Sequence, residues 1–535
     1  RTPLEETICA VFADVLGVER VGVTDNFFTL GGHSLMAVRM VSRLRQALGR
    51  EVALQLLFRH PQVEDLAKAI GEGSPESTVA PILARPAGID RLALSLAQER
   101  LWFLWRLEPD SSAYNIAGAV RLEGALDAHA VRVALTGVVA RHEALRTRFE
   151  DVDGIAMQVI GAEPVYSWAE HDISDASDQS VRLEGLLREH GLAPFDLEHG
   201  PLLRAGLVRL GDAEHVLMLA MHHIVSDGWS MKVLLNEFGA LYVAALEARE
   251  ADLPPLSIQY GDYSLWQREH LDDEVLDEQL TYWRERLGAE HPVLTLPVDR
   301  VRTGARSGTG GRIQRHISKD VAERLAGLSR EQGATLFMTL LAAWQLLLHR
   351  YSGQSEIRVG VPVAGRDRIE TEGLVGFFVN TLVLRGDLAG SMTVADLIAQ
   401  ARERMIEAQA NQDVPFARLV EALRPERSLT TTPLFQTLFS YDQADGDGAL
   451  MLPGLKLKNL AGATSEVQFD LMLDVVERAG NGITLSFGYA GDIFDAATVD
   501  RIADHFLELA EHLSADQRLG ALGLSVEAPA QEVVS

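Results

Sequence analysis

Apolar residues recur at helical spacing near the start of the chain, and a glycine-rich loop follows them. The first helical series consists of Ile8, Val11, Phe12 and Leu16. After the loop "GVERVGVTDNFFTLGGHS", a second helix is predicted over "LMAVRMVSRLRQAL". The stretch from Gly71 to Gly88 is rich in Gly, Pro, Ser and Ala and has no sustained period, as is typical of a linker. These patterns predict a small all-α bundle over residues 1–72 and a linker over residues 73–90.

Beyond the linker, helical segments alternate with short apolar runs that are typical of strands. Helical spacing occurs in "AVRVALTGVVARHEAL" and "VLLNEFGALYVAALEA", and strand-like runs occur in "HVLMLAMHH", "EIRVGVPVA" and "GITLSFGYA". This alternation predicts an α/β fold. The length indicates two lobes, which we divide in the polar passage that begins at Gln267. We therefore expect one lobe over residues 91–267, a second over 268–525, and the start of a further linker over 526–535.

The composition fits a globular protein, because 47% of the 535 residues are hydrophobic and 23% are charged. A formal charge of -27 argues against nucleic acid as a partner, since such a partner needs a basic surface. The single cysteine, Cys9, excludes an intramolecular disulfide and favours a reducing cytoplasm. The apolar runs are too interrupted for a membrane span. The chain begins "RTPLEETICAVF" without Met, so we expect it to be a piece of a longer protein. We also expect this piece to be monomeric.

Ser34 follows two glycines in "DNFFTLGGHSL" and stands where the second helix is predicted to begin. Serine is a favoured N-cap residue, so the motif is compatible with a plain helix start. A hydroxyl at a helix N-terminus is also a good place to carry a phosphodiester, because the free backbone N–H groups and the helix dipole favour negative charge there. The residues "GGHS" alone leave both interpretations open.

The segment "MHHIVSDGWS", residues 221–230, places two histidines and an Asp-Gly pair behind the apolar run "VLMLA". Side chains alternate across a strand, so His222 and His223 would face opposite sides if the strand extends that far. Both could be core histidines beside a turn made by Asp227 and Gly228. A metal site is disfavoured because no third ligand stands nearby at a familiar spacing, and a serine hydrolase because no "GxSxG" occurs. What remains is a histidine that acts on a substrate nucleophile, which suits its pKa near 6.5.

The first 72 residues closely resemble the peptidyl carrier domain of nonribosomal peptide synthetases, and the resemblance rests on "DNFFTLGGHSL" within a small acidic helical domain. It implies that Ser34 carries 4'-phosphopantetheine as a covalent cofactor. It also implies a phosphopantetheinyl transferase as the partner that attaches this group.

Residues 91–525 resemble the condensation domains of the same synthetases, through a series of motifs that occur in the family's order. The motifs are "SLAQERLWFL", "RHEALRTRF", "MHHIVSDGWS", "YGDYSLWQ", "VGVPVAGRDRIETEGLVGFFVNTLVLR", "NQDVPFARLVEAL" and "PLFQ". Asn411 and Ser428 depart from the residues expected in the later motifs. The resemblance implies two chloramphenicol-acetyltransferase-like lobes arranged in a V, with a tunnel between them and the histidine motif midway along it.

The condensation-domain resemblance also implies the roles of individual residues. His223 is the active-site imidazole, while His222 and Asp227 hold its loop. Arg366 in "AGRDR" is the arginine that pairs with Asp227, and a bidentate contact would fix the shape of the loop. Gly228, which has no side chain, would let its backbone N–H approach the developing oxyanion.

The implied reaction is attack by an aminoacyl amine on a peptidyl thioester, which forms an amide and frees the carrier thiol. An amine with a pKa near 8 is already ~10% neutral at pH 7, so His223 can act as a base, remove the proton later, or only orient the amine. The motifs look more like those of domains that take an L-configured donor. The expected partners are a downstream acceptor carrier domain and adjacent adenylation domains, in cytoplasmic secondary metabolism that makes an antibiotic or a siderophore.

Four other functions compete with condensation. An epimerase-like relative would carry an "EGHGR"-type motif where this chain has "PVAGRDR", and a heterocyclisation domain would replace the double histidine with an aspartate motif. A coenzyme-A acyltransferase would not need a fused carrier domain. A catalytically idle carrier-recruitment module would be free to lose His223 or Asp227, and both are present.

Overall fold

The computed structural model describes residues 1–32, 34–72, 81–271, 273–302, 304, 308–426, 428, 430–444, 452–460, 467–478 and 480–522. Part of the predicted linker, residues 73–80, lies outside these ranges, as do the predicted downstream linker at 526–535 and the side chain of Ser34. Within the described ranges, no helix is long and apolar enough to cross a membrane. Over the same residues, no group of three or more His, Cys, Asp or Glu side chains could hold a metal ion.

The N-terminal unit is a bundle of four helices: α1 (Pro3–Leu16), α2 (Ser34–Leu48), α3 (Leu54–Arg59) and α4 (Val63–Glu72). Thr2 caps α1 by accepting a hydrogen bond from the backbone N–H of Glu5, and Gly17 ends it in the left-handed conformation that glycine favours. The helices enclose a small core that includes Ile8 and Phe12, both fully buried. This is the all-α unit that the helical spacing predicts.

The next part of the chain forms the first lobe, built on a five-stranded sheet of order β12-β2-β7-β6-β5 and a three-stranded sheet of order β1-β4-β3. Its elements are β1 (Arg91–Ala93), α5 (Leu96–Leu107), β2 (Asn115–Gly124), α6 (Ala128–Arg141), β3 (Thr147–Val152), β4 (Ile155–Ile160), β5 (Ser167–Asp172), α7 (Gln179–Leu192), β6 (Leu203–Gly211), β7 (Glu214–His222), α8 (Gly228–Leu246) and α9 (Tyr260–His270). In the larger sheet β2, β6 and β7 pair antiparallel, and β5 pairs parallel with β6. Helices α6 and α8 pack against each other in this lobe.

The second lobe is built on a six-stranded mixed sheet of order β10-β9-β11-β13-β14-β8. The elements of this half of the chain are α10 (Asp273–Leu287), β8 (Gly310–Ile317), α11 (Lys319–Glu331), α12 (Leu336–Ser352), β9 (Glu356–Val363), β10 (Asn380–Asp387), α13 (Val394–Ala410), α14 (Phe416–Leu423), β11 (Thr437–Ala444), β12 (Leu455–Leu460), β13 (Leu471–Arg478), β14 (Gly482–Ala490) and α15 (Ala496–His512). Helix α12 is buried along most of its length and lies against α13, α15 and β9. The two lobes have the α/β architecture that the alternation of elements predicts.

The chain does not divide between the lobes at a single point. Strand β12 comes from the second half of the sequence, yet it pairs antiparallel with β2 at the edge of the first lobe's sheet. Leu374, Val375 and Phe378 also belong to the hydrophobic core of the first lobe. The expected division into residues 91–267 and 268–525 therefore does not describe these segments. They come from the second half of the sequence but pair and pack with the first lobe.

Candidate active site

The loop before α2 is held by backbone constraints that fix where the helix begins. Asn26 Oδ1 accepts hydrogen bonds from the backbone N–H groups of Phe28 and Thr29. Gly32 donates its N–H to the carbonyl of Phe27, and a Cβ on Gly32 would lie 2.4 Å from the Phe27 ring. This position therefore requires glycine. Helix α2 then begins at Ser34, the serine that the sequence singles out.

The histidine motif begins where β7 ends. His222 is the last residue of β7, and residues 223–225 form a short 3₁₀ helix before Asp227 caps α8. The strand therefore stops between the two histidines, and the alternation of faces expected for His222 and His223 does not extend to the second of them. Their different environments arise from this turn.

His222 is buried and neutral. Its Nδ1 accepts a hydrogen bond of 3.1 Å from the backbone N–H of Ile224, so the ring proton lies on Nε2. Burial and the neighbouring His223 lower the pKa of His222 to about 3. The ring lies near Tyr114 and Phe195 and braces the loop from inside the first lobe.

His222→Asn is expected to make the protein more resistant to acid. The unfolded chain gains a proton on this histidine near pH 6.5, whereas the folded chain resists it down to a pKa of about 3, so stability present above pH 6.5 is lost as the pH falls between these values. Between pH 7.5 and pH 5 the loss amounts to about 2 kcal/mol of unfolding free energy. Asparagine keeps an acceptor oxygen for Ile224 but does not titrate.

Urea unfolding at pH 7.5 and pH 5 measures this loss, and the variant should lose about 2 kcal/mol less than the unaltered protein. His129→Asn provides the matched control, because the same substitution is made at an exposed position. An equal acid sensitivity of all three proteins would show that His222 is not held in its neutral form.

His223 is half-buried and presents the opposite tautomer. Its Nδ1 lies 3.0 Å from the carbonyl oxygen of Ser226, which can only accept, so Nδ1 carries the proton and Nε2 keeps its lone pair. Burial lowers the pKa of His223 below its ordinary value, although Asp227 and the Ser226 carbonyl oppose the shift. The imidazole is thus neutral at pH 7, with Nε2 available to accept a proton.

Asp227 and Arg366 form an ion pair in which neither side chain is exposed. Asp227 Oδ1 accepts from Arg366 Nη2 at 3.2 Å, from the Ser230 backbone N–H at 2.8 Å and from the Ser230 hydroxyl at 2.7 Å. Asp227 Oδ2 accepts from the backbone N–H of Phe378 at 3.0 Å. The carboxylate therefore caps α8 and joins it to the segment that follows Arg366.

The expected bidentate contact between Arg366 and Asp227 is wrong in its detail. A single nitrogen, Nη2, faces both carboxylate oxygens, at 3.2 and 3.5 Å. The other terminal nitrogen, Nη1, donates to the carbonyl oxygens of Thr371 and Leu374. Arg366 divides its donors because it must also satisfy the turn that follows it, which lies buried around the guanidinium.

Other sequence motifs meet behind this loop. Gln98 of the "SLAQERLWFL" motif donates to the carbonyl of Ile224 at 3.1 Å. Tyr260 of "YGDYSLWQ" donates its hydroxyl to the carbonyl of Phe377 at 2.6 Å. A Cβ on Gly376 would lie 2.0 Å from the Tyr260 ring, so that close approach also requires glycine. These motifs support the loop and do not themselves supply reactive groups.

A cavity of about 500 Å³ joins the loop before α2 to the end of the histidine motif. Gly31 and Gly32 form its wall beside the start of α2, and Gly228 and Arg366 form part of its wall on the other side. Among the described residues, His222, His223 and Asp227 do not line it. Gly228 is exposed, and a Cβ there would meet no atom within 4 Å. As the first residue of α8, Gly228 has a backbone N–H with no partner inside the helix.

The sequence interpretation missed two residues of this site. Phe377 places its ring edge-on to His223 with the centroids 5.5 Å apart. Trp229 lines the cavity and donates its indole N–H to the carbonyl of Glu372 at 2.9 Å. The signal that was present for Trp229 is its place in the motif "MHHIVSDGWS", one residue after Gly228.

The N-terminal helical unit touches the second half of the chain through charged side chains. Arg368 pairs with Glu51 at 3.2 Å, and Arg45 lies 3.5 Å from Asp367. Arg402 on α13 donates to the carbonyl of Phe58 at 2.9 Å. Helix α3 packs against α13 beside these contacts. The start of α2 is thereby held at the mouth of the cavity.

Comparison with known proteins shows which families the two parts of the chain belong to. The family model described as the condensation domain matches residues 89–524, and the model for the phosphopantetheine attachment site matches residues 6–70. Linear gramicidin synthase subunits C and B of Brevibacillus parabrevis are 43% identical over all of this chain and 45% over 96% of it. The chain spans only 7% and 10% of their lengths. A solved complex of the X-domain and OxyB from teicoplanin biosynthesis has a chain that matches with a TM-score of 0.73 and 28% identity, covering 83% of this chain and 98% of that one.

Proposed function

Because the chain belongs to the condensation-domain family of nonribosomal peptide synthetases, with a phosphopantetheine attachment domain ahead of it, we propose that it transfers a donor acyl or peptidyl group from Ser34 to the amine of an aminoacyl acceptor. The observation that carries this proposal is the cavity between the loop before α2, at Gly31 and Gly32, and Gly228. It runs from the neighbourhood of the attachment serine to the end of the histidine motif.

The walls of the cavity fit a phosphopantetheine arm. Glycines at its carrier end leave room beside the start of α2, and the space at Gly228 is open. The wall between them is mixed: charged side chains that include Arg39 and Lys232 line it together with Val38, Trp229 and Val363, whose apolar surfaces suit a thin, flexible chain. Phosphopantetheine, when bound, supplies the thioester that holds the donor and the thiol that leaves.

Two residues of the motif act on the two substrates, His223 on the acceptor amine and Gly228 on the donor carbonyl. His223 Nε2 accepts a hydrogen bond or a proton from the acceptor amine, since Nδ1 is committed to Ser226. The free N–H of Gly228 donates to the donor carbonyl oxygen as negative charge develops there. His222 and Asp227 do not line the cavity and maintain the shape of the loop, as does Arg366, whose guanidinium is committed to Asp227 and two carbonyl groups.

His223→Ala is expected to slow amide formation by about 10²- to 10⁴-fold, because it removes the proton acceptor beside the amine. The assay loads Ser34 with a defined acylated pantetheine, adds an acceptor amine, and follows the mass of the intact protein and of the amide product. The variant should melt like the unaltered protein, since His223 is half-buried and makes one side-chain hydrogen bond. A normal rate in His223→Ala would reduce the imidazole to a minor role.

The same assay measures the direction and the stereochemical preference of transfer. Ser34 lies upstream of the condensation domain, so we propose that it presents the donor and that the amine arrives on a second carrier domain. We further propose that a donor ending in an L residue reacts faster than its D epimer. Matched single-turnover reactions with the two epimers compare the rates, and a D preference or transfer onto Ser34 would contradict the respective half.

The second candidate function is that of a module that recruits a protein partner, and one structural similarity supports it. The X-domain from teicoplanin biosynthesis was solved in a complex with OxyB, so a domain of this fold can bind a protein partner. The neutral tautomer of His223 and the open Gly228 favour catalysis in this chain. Failure of the unaltered, loaded protein to form any amide would favour the recruitment function.

The whole synthetase implies further partners, which we propose by the same reasoning. These are an adenylation domain that activates each amino acid, a downstream acceptor carrier and a phosphopantetheinyl transferase, all in the cytoplasm. The first two would be neighbouring domains of one long chain, as the lengths of the gramicidin synthase subunits suggest.

A further inference from the structure

Trp229 lies between a cation of the carrier and the buried ion pair of the histidine motif. Arg39, on the helix that begins at Ser34, places its guanidinium carbon 4.8 Å from the centroid of the Trp229 ring. The guanidinium carbon of Arg366 lies 5.7 Å from the same centroid. One aromatic ring therefore contacts the carrier on one part of its surface and the partner of Asp227 on another.

The surroundings of Trp229 tie it firmly to the motif. It follows Gly228 in the first turn of α8, and its indole N–H holds the carbonyl of Glu372 at 2.9 Å. The turn that contains Glu372 also supplies the Thr371 and Leu374 carbonyls that accept from Arg366. A shift of the ring would therefore move both the start of α8 and the turn around Arg366.

Two arginines of the carrier act on the carboxyl group of Glu372 beside Trp229. Glu372 is half-buried, and burial raises the pKa of its carboxyl group, while Arg39 and Arg43 of the carrier oppose that rise. The carrier arginines thus stabilise a carboxylate that water alone would solvate poorly. Without the carrier in place, Glu372 loses Arg39 and Arg43, the Trp229 ring loses Arg39, and Arg366 is the cation that stays beside both.

We propose that Trp229 is a positioning residue that couples docking of the carrier to the geometry of the histidine loop, an inference that rests on the proposed function. Arg39 fixes the ring, the ring fixes Arg366 and the Glu372 turn, and these fix Asp227 and the start of α8. The loop is then ordered for reaction when a carrier stands at the cavity mouth. By thermodynamic reciprocity, an ordered loop also strengthens docking.

A donor that is not attached to the carrier distinguishes this coupling from an effect on docking alone. The full chain without phosphopantetheine is given an acyl N-acetylcysteamine thioester and an acceptor amine, so that the donor does not depend on the carrier for delivery. Arg39→Met and Trp229→Leu should lower kcat for this donor by about fivefold or more, without raising KM. Trp229→Phe keeps a ring beside both arginines but loses the N–H that binds Glu372, so it should recover only part of the rate.

Arg59→Met is the matched control. It removes the same charge from the carrier at an exposed position on α3, where the side chain neither stacks on Trp229 nor acts on Glu372. It should keep the kcat of the unaltered chain. A loss in Arg59→Met equal to that in Arg39→Met would overturn the role of the ring, because it would reduce the effect to general attraction by charge.

Hydrogen exchange gives a second measurement that does not depend on activity. The backbone N–H of Phe378 is bonded to Asp227, so peptides that cover residues 371–378 report on the loop. They should exchange faster in Arg39→Met and Trp229→Leu than in the unaltered chain or in Arg59→Met. Unchanged exchange together with unchanged kcat would overturn the proposal.

The two proposals fail in different ways. If the unaltered chain forms no amide from either the carrier-borne or the free donor, the proposed function fails, and exchange alone then decides the coupling. Faster exchange in the two variants would still support it, and equal exchange would overturn it. If the unaltered chain reacts but the variants match it in both measurements, only the coupling fails.

Discussion

Ser34→Ala is expected to abolish loading of the protein completely. Incubation of the unaltered chain with coenzyme A and a phosphopantetheinyl transferase should add the mass of one phosphopantetheine group, and the variant should gain none. The reason is that only this serine follows the "DNFFTLGG" loop and begins a helix behind it. Amide formation from a carrier-borne donor should be lost with the attachment.

Thr29→Ala is the control for this result. Thr29 is an exposed hydroxyl residue in the same loop, and it donates to the carbonyl of Asn26. Its removal should leave the mass gain intact, because the Gly32 contact and the start of α2 do not depend on it. A persistent mass gain in Ser34→Ala would place the attachment on another residue.

The local features of the site could be predicted from the sequence, because they depend on neighbouring residues. The apolar run "VLMLA" followed by a polar turn locates the end of β7, and the strand ends at His222. The glycines before Ser34 predict a tight turn and a helix start, and α2 begins there. Both features are determined within about ten residues of chain, where spacing and turn residues are informative.

Features that depend on distant pairing could not be predicted in the same way. The alternating pattern of "LKLKNL" is typical of a strand, but nothing in it identifies β2 of the other lobe as its partner. Phe377 has the same apolar character whether it fills a core or faces His223. The division of Arg366 between Asp227 and two carbonyl groups likewise depends on how a later turn folds around it.

The charged contacts of the site differ in what they stabilise, and burial decides between them. Asp227 and Arg366 are both fully shielded from water, so neither can be solvated if the other is removed. Lys232 of α8 and Asp442 of β11 form a contact of 2.6 Å, but each side chain is about half exposed, at 49% and 51%. Water can replace the partner there, so such a pair contributes little to stability.

Asp227→Ala is therefore expected to lower the free energy of unfolding by about 3 to 5 kcal/mol, because it leaves the Arg366 charge buried without its partner. The same change removes the N-cap of α8 and the acceptor for the Phe378 backbone N–H. Asp442→Ala, the matched substitution in the exposed pair, should cost less than about 1 kcal/mol. Urea unfolding of the two variants beside the unaltered protein measures the difference. If Asp227→Ala unfolds at the same urea concentration as Asp442→Ala, the buried pair does not stabilise the fold, and the loop must keep its shape through the Gln98 and Tyr260 contacts instead.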